Sequence, residues 1–157
     1  MKTTLLYIFL VLTTATFAQS AADPTGLNQA VQPPAIVMTN FTANYHTKAI
    51  WTANEDNTFN GSYTDESTNM GRVIIYDQRG NLIAVQNELH NNAYPAAIAT
   101  WYIKNYPREK FVIWSNYDTN DTKTYFANRA QETIWFDRNG TYTHSAKKGS
   151  QLITKKS

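Results

Sequence analysis

Apolar residues recur at every fourth position in two segments of the chain. They form the series Val37, Phe41 and Tyr45, and Ile98, Tyr102 and Tyr106. Residues four apart lie on one face of an α-helix, so each series predicts a helix with a single apolar stripe. Pro34 and Pro95 suit the first helical turn, because the N–H that proline lacks would have no partner there. Pro107 directly follows the second series and is expected to end that helix.

Short segments rich in aromatic and β-branched residues follow each predicted helix. This composition, with turn residues between the segments, is typical of antiparallel β-strands. A first strand is expected at Ile50-Trp51. The other predicted strands are Thr58 to Tyr63, Arg72 to Asp77, Leu82 to Leu89, Lys110 to Ser115, Lys123 to Asn128, Gln131 to Asp137 and Thr141 to Ser145.

The pattern aromatic-Asp-x-x-Gly indicates two hairpins. It occurs with Asp77 and Gly80, and again with Asp137 and Gly140. An aspartate at the start of a turn accepts hydrogen bonds from backbone N–H groups ahead of it, and glycine supplies the positive φ that a bulged three-residue loop needs. We interpret both aspartates as turn-forming rather than catalytic.

The order of helix and strands occurs twice along the chain. Residues 34–45 align without gaps on residues 95–106, and residues 74–80 align on residues 134–140, a displacement of about 60 residues. Ile50-Trp51 likewise matches Ile113-Trp114. We therefore predict an α+β fold of two tandem helix-plus-antiparallel-sheet units, with about four strands each and the helices on one sheet face.

The two ends of the chain differ in composition from this repeat. The first 18 residues resemble a secretory signal peptide. They contain a positive charge at Lys2, an apolar run from Leu5 to Leu12 and a small-residue site ending at Ala18. The protein is therefore expected to be periplasmic or secreted. The predicted division is a signal peptide at residues 1–18, an irregular lead-in at 19–33, helix–sheet repeats at 34–89 and 90–145, and a basic tail at 146–157.

Composition narrows the classes of site and partner. The chain has no cysteine, which excludes disulfides, thiolate metal sites and a cysteine nucleophile. Its formal charge of +2 falls to +1 when the segment carrying Lys2 is removed, and such a near-neutral domain has no global field to attract nucleic acid. No other stretch is long and apolar enough to span a membrane, so no membrane span is expected after signal removal.

These motifs resemble the PepSY-like family of bacterial envelope proteins, whose fold is similar to that of the β-lactamase inhibitor protein. The resemblance lies in the proline-led helix ending in Asn-Tyr, the Ile-Trp strand and the aromatic-Asp-x-x-Gly hairpin, and it covers roughly Pro33 to Ser145. It implies helices packed on one face of an antiparallel sheet whose other, concave face is open to a partner. By analogy it suggests binding or inhibition of an envelope enzyme such as a peptidase.

Residues for catalysis or cofactor binding are not evident in the sequence. The histidines, His46, His90 and His144, lack metal-ligand spacing, and no nucleophile elbow or phosphate loop occurs. We expect neither an enzyme nor a cofactor or metal site. A hydrolase with an unrecognised site, drawing on acidic turn residues, is the weakest alternative because nucleophile and base are both missing.

Strand alternation suggests which aromatic residues face a partner. Ile134 and Phe136 share one side of their strand, which we assign to the core, so Trp135 should face outward with Ile75 at the equivalent place. Exposed Trp and Tyr residues are typical interface anchors. The candidate partner-binding residues are Trp135, Ile75, Tyr125 and Tyr142. A loop or the neighbouring unit covering Trp135 is an equal alternative.

Two functions of different classes remain. The first is a non-catalytic binding module that presents its open sheet face to an unknown envelope protein or peptide. The second is a small-molecule or peptide sensor that uses a groove between the two repeats, lined by the connector Asn87 to Tyr94.

Overall fold

The computed structural model describes residues 30–90 and 92–147. The predicted signal peptide, most of the lead-in and most of the basic tail lie outside the described residues. Within them the chain forms two helices and eight strands. In chain order they are α1 (Ala35–Asn44), β1 (Ile50–Ala53), β2 (Phe59–Asp65), β3 (Met70–Tyr76), β4 (Leu82–Leu89), α2 (Ala96–Asn105), β5 (Ile113–Asp118), β6 (Lys123–Asn128), β7 (Glu132–Phe136) and β8 (Tyr142–Lys147).

All eight strands belong to one antiparallel sheet in the order β1 to β8. β4 and β5 join the two halves through a continuous register that runs from Ala84 opposite Asp118 to Leu89 opposite Ile113. The prediction of two tandem units with about four strands each is therefore wrong, although the fold is still α+β. The physical reason is that β4 would otherwise leave a long unpaired edge, whose backbone N–H and C=O groups bond to β5 instead.

Each helix begins and ends in the same way. Pro34 and Pro95 are the N-cap residues, directly before the first helical turn. Tyr45 and Tyr106 are the C-cap residues, and their backbone N–H groups donate to carbonyls in the preceding turn. The apolar stripes are confirmed, since the side chains that they predict to be central are buried. These are Val37 and Phe41 in α1, and Ile98 and Tyr102 in α2.

Two hydrophobic clusters lie between the helices and the sheet. The first packs α1 against β1 and β3 and consists of Val37, Phe41, Trp51, Ile74 and Tyr76. The second packs α2 against β5, β6 and β7 and consists of Ile98, Tyr102, Ile113, Tyr125, Ala127, Ile134 and Phe136. The strand register places both clusters on the same face of the sheet, which we call the helix face. The opposite side is the open face.

The hairpin turns are confirmed at both predicted positions. Asp77 accepts hydrogen bonds from the backbone N–H groups of Arg79 and Asn81, at 2.8 and 2.9 Å. Asp137 accepts the equivalent pair. Gly80 and Gly140 each have φ of 84°, a conformation that glycine adopts without steric cost.

The residues before α1 continue the sheet edge. Ala30 pairs with Thr52, and the N–H of Val31 donates to the carbonyl of Trp51 at 2.9 Å. The end of the lead-in thus lies along β1. Neither described helix reaches the length and hydropathy that a membrane crossing requires.

Candidate docking face

Four aromatic rings lie side by side across the open face, one on each strand from β5 to β8. Direct strand pairing places Trp114 opposite Phe126, Phe126 opposite Trp135, and Trp135 opposite His144. The successive ring centroids are 6.1, 4.9 and 6.2 Å apart, with interplanar angles of 20°, 35° and 14°. Neighbouring rings are therefore close and inclined to each other by no more than 35°. We call this row of four residues the aromatic band.

The aromatic band is partly exposed. Phe126, in the middle, is only 4 % exposed because its neighbours cover it. Trp114, Trp135 and His144 are half-buried, so three of the four residues present part of their surface to solvent. Such a surface offers large apolar area with little side-chain freedom left to lose, which is how aromatic anchors contribute to protein interfaces.

Gly71 on β3 gives Trp114 the space to lie flat. A Cβ atom at Gly71 would lie 2.7 Å from Cη2 of the Trp114 ring, far inside van der Waals contact. Beside it, the N–H of Gly71 donates to Oε2 of Glu88 at 2.9 Å. The hydrogen bond from His90 at 2.9 Å, followed by that from Gly71, lowers the pKa of the Glu88 carboxyl below its ordinary value. An ionised carboxylate thus borders the Trp114 end of the band.

His144 at the other end of the band is fixed by its neighbour Thr143. The Thr143 hydroxyl donates to the carbonyl oxygen of Trp135 at 3.1 Å, so its oxygen is left to accept from Nδ1 of His144, also at 3.1 Å. Nε2 is buried and has no hydrogen-bond partner among the described residues. The imidazole therefore extends the aromatic stack by packing on Trp135.

The rest of the open face, on β1 to β4, has no aromatic ring among the residues that the register places there. Gln86 on β4 donates to the side chain of Asn116 on β5 at 3.1 Å, next to the aromatic band. Val73 and Ile75 on β3 form an apolar area on the other side of this polar pair. At the edge strand Ile50 is 68 % exposed. The open face thus combines the aromatic band with polar side chains on β4 and β5, apolar ones on β3, and the polar residues Asn60, Ser62 and Thr64 on β2.

The four predicted partner-binding residues lie on two different faces. Trp135 and Ile75 point to the open face, as alternation suggested. Tyr125 is paired with Phe136 on the helix face and is 5 % exposed. Tyr142 also lies on the helix face, where its ring stacks on Trp101 at 4.7 Å with an interplanar angle of 5°.

A β-bulge in β8 explains the position of Tyr142. Phe136 pairs with Tyr142 and Trp135 with His144, so Thr143 is the extra residue. A bulge inserts one residue without a partner and reverses the alternation beyond it. Tyr142 and His144, two positions apart, therefore face opposite sides.

Sequence reasoning missed Trp114, Phe126 and His144 as members of the open face. The sequence contained a signal for Trp114. It directly follows Ile113, which is buried, and consecutive residues of a strand face opposite sides of the sheet. Phe126 and His144 required knowledge of the strand register. Within residues 30–90 and 92–147 there is no group of three His, Asp or Glu side chains placed to hold one metal ion.

A shallow cavity of about 280 Å³ lies beside the connector from β4 to α2. It is lined by Leu89, His90, Asn92, Tyr94, Phe111, Val112 and Ile113. All of these residues come from the end of β4, the connector and the start of β5. The cavity therefore has no wall from α1 or from β1 to β3.

No family model and no curated protein matches this chain. Several solved structures have a similar fold. A DUF2874 family protein from Bacteroides ovatus matches with a TM-score of 0.58 and 8 % identity over 80 % of this chain and 95 % of its own. A candidate periplasmic protein from Bacteroides eggerthii matches with a TM-score of 0.58 and 11 % identity over 74 % and 90 %. A BLIP-like protein from Bacteroides fragilis matches with a TM-score of 0.50 and 14 % identity over 79 % and 92 %. The fold is therefore BLIP-like.

Proposed function

We propose that this chain is a non-catalytic binding module of the bacterial envelope, periplasmic or secreted, that docks a protein partner on its open face. The observation that carries the proposal is the aromatic band. Four adjacent aromatic rings on one side of a sheet are costly to leave against water, and the three half-buried ones resemble the anchors of protein interfaces.

The location in the envelope is supported from two sides. Residues 1–18 have the pattern of a secretory signal peptide. One solved structure with the same fold is described as a candidate periplasmic protein. The PepSY-like resemblance of the helix and hairpin motifs agrees with this location.

The partner that we propose is an envelope enzyme, such as a peptidase, that the module inhibits or regulates. Support comes from the BLIP-like fold and from the open face of the sheet, which neither α1 nor α2 covers. The Glu88 carboxylate beside Trp114 adds a charge that favours a partner with a cationic group near its apolar contact.

The proposal is tested by pull-down of the mature protein from envelope extract of its native host. Trp135→Ala removes one ring of the aromatic band, and Thr124→Arg adds a bulky cation on the open face without removing a ring. We expect both variants to lose a partner that the wild type captures, by about tenfold or more, the usual effect of removing an interface anchor.

Tyr142→Ala is the matched control, because Tyr142 is a partly exposed aromatic residue on the helix face. It should capture the partner as the wild type does. Far-UV circular dichroism verifies that each variant is folded. Identical capture by all variants, or loss only with Tyr142→Ala, would exclude the open face as the docking site.

A further inference from the structure

The C-terminal end of α2 holds a guanidinium group against an aromatic ring. Arg129 places its guanidinium carbon 3.7 Å from the centroid of the Tyr106 ring. The same side chain donates two hydrogen bonds to Glu109, at 2.9 and 2.6 Å, and pairs with Glu132. We call this group of residues, Tyr106, Glu109, Arg129 and Glu132, the α2 corner. It shows how the fold binds a guanidinium: the tyrosine at the helix end contacts the group face-on, and carboxylates surround the charge.

The C-terminal end of α1 has the same platform without the cation. Tyr45 is the C-cap of α1, as Tyr106 is of α2. Tyr63 has the position that corresponds to Arg129 in the other half. Tyr63 comes two residues after Gly61, which pairs with Ile74. Arg129 comes two residues after Ala127, which pairs with Ile134. Among the described residues no cationic group lies over the ring of Tyr45 or Tyr63. The guanidinium at this end of α1, that of Arg72 opposite Tyr63, pairs with Asp65 instead of lying over a tyrosine ring.

A cavity of about 330 Å³ lies at the C-terminal end of α1, between residues 44–47 and residues 63–67. We call this region the α1 corner. The rings of Tyr45 and Tyr63, with centroids 6.1 Å apart and planes at 52°, form one wall, and the turn from Asp65 to Ser67 forms another. Phe41 supports both rings from behind at 5.1 and 6.0 Å. Two inclined aromatic rings beside an acidic turn are the arrangement in which proteins bind organic cations.

The charges at this corner leave one carboxylate without a partner. Asp65 is fully engaged, because Oδ1 accepts from Ser67 at 2.9 and 2.5 Å and Oδ2 pairs with Arg72 at 2.9 Å. Glu66 is exposed, lines the cavity and pairs with no cationic side chain in the described residues. The formal charges of Asp65, Glu66 and Arg72 sum to one negative charge, beside His46, which also lines the cavity.

The helix itself adds to this preference for a cation. The last carbonyl groups of a helix carry a partial negative charge, which a basic side chain commonly offsets. In α2 the last turn contains Lys104, whereas the last turn of α1 contains no basic residue.

We propose that the α1 corner binds a guanidinium group, such as the arginine side chain of a protein partner, on the platform of Tyr45 and Tyr63 with Glu66 as its counterion. The site lies at the end of α1 on the helix face, so it does not depend on the docking function of the open face.

The test is an NMR titration of the mature protein with N-acetyl-arginine amide. We expect saturable shifts of backbone amides confined to residues 45–47 and 63–67. N-acetyl-citrulline amide, which has the same shape without the charge, should bind at least about fivefold more weakly, since a cation on an aromatic face contributes about 1 kcal/mol. Free arginine is the second ligand, and tighter binding of it than of the blocked amide would identify the free amino acid as the source of the guanidinium.

Two variants test the assignment of residues. Glu66→Gln alters an exposed side chain and should weaken binding about threefold or more, as loss of one exposed ion pair does. Tyr63→Arg installs the internal guanidinium of the α2 corner and should abolish binding. Glu55→Gln, in the turn between β1 and β2, should bind as the wild type. Absence of saturable shifts, equal binding of the citrulline compound, or unchanged binding by Glu66→Gln would overturn the proposal.

Discussion

The absence of one side chain shapes the open face. Trp114 extends from β5 across β4 until its ring lies over Gly71 on β3, where only hydrogen fits. That position sets the tilt of Trp114, against which Phe126 stacks. The orientation of the rings in the aromatic band thus depends on Gly71, which contributes no side chain to the band.

Replacing this glycine by alanine should disturb the band. Gly71 lies within a regular strand and has no positive φ, so Gly71→Ala introduces no backbone strain. Its Cβ would collide with the Trp114 ring and would lie 3.0 Å from Oε2 at the end of the Glu88 side chain. We expect a loss of about 1–3 kcal/mol in the free energy of unfolding, the usual effect of an overpacked contact. Urea denaturation followed by tryptophan fluorescence measures it.

The control is the same substitution in a Trp114→Ala background. With the ring removed, Gly71→Ala should be neutral or slightly stabilising, because alanine restricts the unfolded chain more than glycine does. An equal loss in both backgrounds would show that Trp114 is not the cause.

At the scale of single elements, aspartate-led turns recur at the strand connections. Asp65, Asp77 and Asp118 each accept backbone N–H groups from the turn that follows them. Hydrogen bonds favour the ionised carboxylate, and the pKa of each group lies below its ordinary value of 3.8. The largest contribution is the hydrogen bond from the Ser67 hydroxyl for Asp65 and that from the backbone N–H of Thr122 for Asp118. For Asp77 the largest contribution is the hydrogen bond from the Asn81 side chain.

The lowered pKa values predict acid-sensitive hairpins. A carboxyl whose pKa is lower in the folded state stabilises the fold above its unfolded pKa, and this stabilisation is lost as the pH falls below about 4. Asp77→Asn keeps a side-chain oxygen that accepts the hydrogen bonds of the turn but removes the ionisable carboxyl group. We expect its unfolding free energy to be close to wild type at pH 7 and to fall less steeply between about pH 4 and pH 2.

Urea denaturation across this pH range measures both slopes. Glu55→Gln serves as the reference, because Glu55 makes no hydrogen bond or ion pair in the described part of the chain. If Asp77→Asn and wild type lose stability in parallel as the pH falls, the Asp77 turn is not one of the groups responsible.

At the scale of the whole molecule, one sheet joins two separate clusters. The cluster beneath α1 and the cluster beneath α2 share no buried residue. Their connection is the pairing of β4 with β5, which continues the hydrogen-bond ladder across the middle of the sheet. Cooperativity between the halves must therefore pass through this pair of strands.

Because β4 and β5 connect the two halves, we predict that the wild type unfolds in a single transition. A substitution that weakens this pair of strands should produce two transitions. Asn116 lies in β5, which is paired on both sides, so Asn116→Pro removes a ladder hydrogen bond wherever its N–H points. We expect coincident urea transitions by circular dichroism and fluorescence for the wild type, and separated transitions for Asn116→Pro. Thr119→Pro, in the exposed turn after β5, is the control. Separated transitions in the wild type would contradict the prediction.

The sequence by itself determined the local elements of this protein. The four-residue spacing in α1 and α2, and the turn chemistry at Asp77 and Asp137, identify helices and hairpins because such signals act between residues close in the chain. The alternation that places Trp135 opposite Phe136 is equally local. For this reason the outward direction of Trp135 followed from the sequence.

Only the tertiary structure decided how these elements combine. The pairing of β4 with β5, which makes one sheet from the two halves, joins segments that no local pattern connects. The bulge at Thr143, which turns Tyr142 to the helix face, is one extra residue with no sequence signal of its own. The aromatic band likewise required the register of four strands and the space above Gly71, because the contacts between its rings are set by backbone pairing and not by neighbours in the chain.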